Sequence, residues 1–73
     1  MENYCEETIY MVDNLIEDAD VRGLVEHATT YVSVYKDKVI EYVFDNIEDV
    51  EELYPDERKY LTERIEQLIN EIV

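Results

Sequence analysis

One glycine, Gly23, and one proline, Pro55, punctuate the whole chain, and that scarcity narrows its fold more than any other feature. Strands need turns between them, and two-residue hairpin turns draw on residues that reach positive φ, glycine above all. A 73-residue chain with a single glycine has few places to build such turns. Helices with short connections are the remaining solution, so an all-α fold is expected.

Hydrophobic spacing supports this reading. Cys5, Ile9, Val12, Ile16 and Ala19 recur at steps of four, three, four and three, and Tyr4, Met11 and Leu15 widen the stripe. That is an amphipathic helix over about 3–18, with Asn3 and Glu6 spaced as a capping box. A second segment follows Asp20, a good N-cap residue. Leu24, Val25, Ala28, Tyr31, Val32, Tyr35, Val39, Tyr42, Val43 and Asn46 keep helical spacing through it. "TTYVSVY" and "VIEYVF" are rich in β-formers, and a hairpin about "KDK" over 29–44 is the rival. That turn lacks Gly and Asn, which favours helix. "DNIE" at 45–48 places Asp45 three residues before Glu48, so a kink or a new helix is expected there. Pro55 ends the run and suits the first turn of a third helix, 55–72, with a stripe of Leu61, Ile65, Leu68 and Ile72 widened by Ile69 and Val73.

The expected architecture is one all-helical domain over 1–73, a small bundle of three helices. The central helix is long or broken into two, and a shorter helix packs on it from either side. Unbroken from 21 to 53, the central helix would be roughly 50 Å long. Outer helices about half that length would leave apolar surface on it for a second copy, so a homodimer is expected, with Tyr31, Tyr35 and Tyr42 as its seam.

Charge decides which partners are reasonable. Twenty Asp and Glu against six Lys and Arg give −14. Such a surface repels phosphate backbones and anionic lipids, which argues against direct nucleic-acid or membrane binding. A basic protein surface or a metal cation is the natural counterpart. Hydrophobic residues make up 47% of the chain, enough for a core despite that charge. One cysteine, Cys5, allows no intrachain disulfide and no cysteine-based zinc site, and a free thiol suits a reducing compartment. The first ten residues lack the pattern of a signal peptide, and no apolar run approaches the ~18 residues of a membrane span. A cytoplasmic location is expected.

"EDADVRGLVEHATT" at 17–30 carries part of a calcium-loop pattern. From Asp18, acids fall at positions 1 and 3, glycine at 6 and Val25 at 8, as in an EF-hand loop. Position 5 is Arg22, a cation where an oxygen ligand belongs, and position 12 is Thr29 in place of the closing Glu. A capped helix-to-helix turn is the better reading, with a degenerate calcium binder as an alternative, and no metal ligand is assigned. His27, the only histidine, lacks companions for a zinc site. Nothing in the sequence pairs it with Cys5 as a nucleophile and base. Ser33, the only serine, sits between two valines in an expected mid-helix position, unlike the Asp-Ser-Leu setting in which acyl carrier proteins bear their cofactor. No catalytic residue and no cofactor are expected, and the chain is read as non-enzymatic.

"DNIEDVEELYPDE" at 45–57 holds seven acids and no base. Carboxylates one helical turn apart stand ~6 Å from each other, near the spacing of phosphates along a strand. The expected function is an acidic interaction protein that binds a basic partner and blocks or regulates its nucleic-acid contacts, as DNA mimics and phage-type inhibitors do. Asp45, Glu48, Asp49, Glu51, Glu52 and Asp56 are the expected contacts. The alternative is a structural homo-oligomer with no mimic role.

Overall fold

The computed structural model describes residues 4–48 and 50–72, and the chain is all-helical. Among the described residues four α-helices follow in order: α1 Glu6–Asp18, α2 Val21–Tyr31, α3 Lys36–Asp45 and α4 Pro55–Ile72. A 3-10 turn, Val50–Glu52, lies between α3 and α4. No strand occurs among the described residues, so the hairpin reading of 29–44 is set aside.

The central segment is broken, and the main break falls at 32–35 rather than at 45–48. Val32 and Ser33 both donate their N–H to the Ala28 carbonyl at 2.9 Å, which closes α2. The Ser33 hydroxyl then accepts the N–H of Tyr35 at 3.1 Å, so Ser33 serves a turn and is not in mid-helix. The reason is the core. A straight helix could not bring Val25 and Ala28 of α2 and Val39 and Val43 of α3 to one interior. Folding α3 back on α2 buries all four completely. The Cα envelope, 33 × 27 × 18 Å, has no room for a 50 Å helix.

α4 organises the bundle. It is the longest helix, with 18 residues, and it packs on α1, α2 and α3. The expected short outer helix is therefore the central support, and the two halves of the expected central helix pack against it. Leu61, Ile65, Leu68 and Ile69 are buried along α4, as their spacing predicts. Val12 of α1, Val21, Val25 and Ala28 of α2, Val39 and Val43 of α3 and Ile47 complete one apolar cluster. Val73 lies outside the described residues.

α1 is joined to α2 by two residues. Ala19 closes α1, its N–H bonding the Leu15 carbonyl at 2.9 Å. Asp20 follows with φ 50° and ψ 53°, the one positive φ among the described non-glycine residues. Left-handed backbone at this point is what turns the chain out of α1 and into α2. Asp20 is the N-cap of α2, yet its side chain makes no capping bond, contrary to expectation. Its carboxylate lies over Gly23 instead. A Cβ at Gly23 would meet Asp20 Cγ at 2.9 Å, and so the only glycine stands where a side chain would collide.

Two further expectations change at α1. Its N-cap is Cys5, and Asn3 lies outside the described residues. Cys5 is exposed and is not part of the buried stripe, of which Val12 is the fully buried member.

Candidate functional site

The acidic segment forms the connection from α3 to α4. Asn46 ends α3, its side-chain amide donating to the Tyr42 carbonyl at 2.8 Å and satisfying an acceptor that the helix end leaves open. "DNIE" thus ends a helix rather than beginning one. Ile47 drops into the core as an anchor. The 3-10 turn follows, and Leu53 N–H closes it on the Val50 carbonyl at 3.3 Å. Tyr54 then caps α4, and Pro55 takes its first position, where a missing N–H costs nothing.

Asp45, Glu48, Glu51, Glu52 and Asp56 are all exposed along this connection. Asp49 lies outside the described residues. None of the five forms an ion pair within 4.0 Å among the described residues. Glu57, the seventh acid of the run, behaves differently. It is 4% exposed and accepts the Tyr54 N–H, so it is a structural cap.

One cation is held on the connection by its backbone, and two others pair with acids outside it. Arg58 reaches back from α4 and donates through Nε and Nη2 to the Val50 carbonyl, both at 3.3 Å. Arg22 lies beside Glu26 at 3.6 Å and Glu71 at 3.9 Å. Arg64 donates to Asp13 and, at 3.2 Å, to the Tyr60 hydroxyl. The Tyr60 oxygen first, and the Asp13 charge with it, hold the Arg64 guanidinium above its ordinary pKa. Arg58 thus brings a positive charge to the backbone of the connection, while the five exposed carboxylates form no ion pair among the described residues.

No family model, curated protein or solved structure matches this chain.

Beside the connection lie two shallow depressions that sequence reading missed. One, of about 370 Å³, runs between the end of α1 and 46–48 and is lined by Leu15, Asp18, Ala19, Asn46, Ile47 and Glu48. The other, of about 310 Å³, is lined by Met11, Asn14, Leu15, Asp18 and Leu53. The first is mixed, with Asp18, Asn46 and Glu48 among its lining, whereas the second is mostly apolar, with Met11, Leu15 and Leu53. Met11 and Leu15 read as a widening of the α1 stripe, and only the packing of α1 and α4 shows that they border the acidic connection. Tyr54, 73% exposed, adds an aromatic ring to the same segment.

The other singled-out residues separate. Cys5 Sγ lies 3.1 Å from Thr8 Oγ1, and hydrogen bonds from Thr8, the side-chain bond foremost, lower the thiol pKa below its ordinary value. His27 instead stacks with Tyr31 at 4.9 Å and Tyr42 at 5.8 Å between ring centroids. Of the expected seam, Tyr31 and Tyr42 are therefore linked through His27 across α2 and α3, and Tyr35 caps α3. In the calcium-like stretch, Val21 to Thr29 lie in α2, so those twelve residues form no loop. No group of three His, Cys, Asp or Glu suited to a metal ion occurs among the described residues. No described helix is long and apolar enough to cross a membrane.

Proposed function

We propose that this chain is a non-enzymatic acidic interaction protein. Its 45–56 connection engages a basic partner surface and competes there with nucleic acid. One observation carries the reading: Asp45, Glu48, Glu51, Glu52 and Asp56 are exposed and lack ion pairs among the described residues. Clustered like charges repel one another and are relieved when an opposite surface arrives. The depression lined by Met11, Leu15 and Leu53 supplies apolar area next to those charges, which a contact of useful affinity needs. The mechanism is steering by the field, then steric occupation of the partner's phosphate-binding surface.

Affinity capture from the source organism tests the reading with two baits, the wild-type chain and a variant with Glu48→Gln, Glu51→Gln and Glu52→Gln. A basic nucleic-acid-binding protein should be retained by wild type at about 0.1 M salt and lost near 1 M, where the screening length falls from ~10 to ~3 Å. The variant should retain it weakly, and the wild-type chain should displace nucleic acid from it. Identical retention by both baits would remove the support for this function.

A further inference from the structure

We infer that a second copy of this chain docks on the α2–α3 corner, with the two α3 helices antiparallel across a two-fold axis. The corner is the most apolar exposed place on the molecule. Tyr31 (76% exposed), Val32, Val34 and Tyr35 (70%) lie within five consecutive residues. It continues into a groove of about 180 Å³ lined by Val32, Lys38, Glu41, Tyr42 and Asp45. Tyr35, Lys38, Tyr42 and Asp45 follow one another at steps of three, four and three, which is the spacing of a helix-pairing face.

The occupant is identified by charge. α3 carries Lys36 and Lys38 about Asp37 in its first turn, a net positive start, and Asp45 at its last position, with Glu41 between. This order opposes the helix dipole, which favours acids at the start and bases at the end. α3 therefore does not gain from it as an isolated helix. Lys36 and Lys38 form no ion pair among the described residues. An antiparallel copy makes sense of the arrangement, because it sets Lys38 of each chain against Glu41 and Asp45 of the other, with Lys36 adding positive charge at the same helix end. A two-fold contact requires that self-complementarity. Lys38 and Asp45 are seven residues apart, about 10 Å along the helix, within reach of matched side chains on a neighbour. The corner also lets two chains of charge −14 approach with less repulsion than the acidic segments would, since Tyr31–Lys38 holds two lysines and one aspartate.

The test uses two charge-reversed chains. In one, Lys36→Glu and Lys38→Glu make α3 wholly acidic. In the other, Glu41→Lys and Asp45→Lys make it basic at both ends. Each change matches one end of α3 to its dipole, acids at the start in the first and bases at the end in the second, so neither should unfold the chain, and circular dichroism checks this. Equilibrium sedimentation with reductant present, which keeps Cys5 from linking chains, reads the mass. Wild type should dimerise at about 100 μM, and each variant alone should dissociate about tenfold more readily. An equimolar mixture should recover a mixed dimer of near wild-type stability. A wild-type chain that stays monomeric, variants that dimerise unchanged, or a mixture that fails to recover would each overturn the inference. Asp45 belongs to both surfaces, but the readout is the mass of the chain alone with no basic partner present, so this reading and the proposed function fail separately.

Discussion

The Glu57 carboxylate accepts the backbone N–H of Tyr54 at 2.8 Å, closing the first turn of α4 from inside. It is the return arm of a capping box, built on a tyrosine cap instead of serine or threonine. Glu57→Ala should lower stability by about 1 kcal/mol, or roughly 4–8 °C in melting temperature for a domain of this size. Glu57→Gln keeps an acceptor oxygen and should lose less. Thermal unfolding followed at 222 nm compares the two.

The exposed acids should respond in the opposite way. Replacing Glu48, Glu51 and Glu52 with Gln removes like-charge repulsion and breaks no hydrogen bond within the described residues. Stability should stay within about 0.5 kcal/mol of wild type or rise. A loss as large as that of Glu57→Ala would mean that these carboxylates hold the connection together.

Leu61 is fully buried where α4 meets its neighbours. Leu61→Ala should cost about 2–5 kcal/mol, a large part of the total stability of a small domain. Leu53→Ala, at a half-buried position beside the acidic connection, should cost clearly less. Urea titrations of both variants rank them.

Backbone conformation at Asp20 gives a further ordering. Asparagine, aspartate and glycine tolerate φ near 50°, whereas a β-branched residue does not. Asp20→Gly should be neutral or slightly stabilising, and Asp20→Val should cost about 1–2 kcal/mol. Equal effects from both would place the strain elsewhere.

Cys5 offers a pH readout. Thr8 hydrogen bonds favour the thiolate, so the thiol pKa lies below its ordinary value. Alkylation by iodoacetamide proceeds through the thiolate, and its rate should rise with pH at lower values than for a free cysteine. Thr8→Val removes the side-chain donor and should move that profile to higher pH. A profile that does not move would mean Thr8 has no part in it.

Helix α4 was legible because Leu61, Ile65, Leu68 and Ile69 repeat at helical steps with Pro55 at the start. The line between α2 and α3 was not. No glycine or proline marks it, and the stripe from Leu24 to Val43 runs through Tyr31 and Tyr35 without a phase change. The signal was present in another form. Thr29, Thr30, Val32, Ser33 and Val34 are poor helix formers in close succession, the same residues that suggest a hairpin. Local weakness there lets tertiary packing choose the break. For the acidic segment, the sequence distinguishes neither the buried Glu57 from its exposed neighbours nor the reach of Met11 and Leu15 to its side. The first rests on a local cap built on a tyrosine in place of the usual serine or threonine, and the second on contacts between residues far apart in the chain.

The placement of α4 also bears on how the chain is made. Helices α1, α2 and α3 are translated before the helix that covers them. Val12, Val25, Val39 and Val43 stay without the apolar face of α4 until residues 61–69 have been added. At about 5–20 residues per second, that interval lasts on the order of seconds after α3 is complete. During it the nascent chain presents a valine-lined half-core, and the carboxylates already synthesised keep neighbouring nascent chains apart by repulsion.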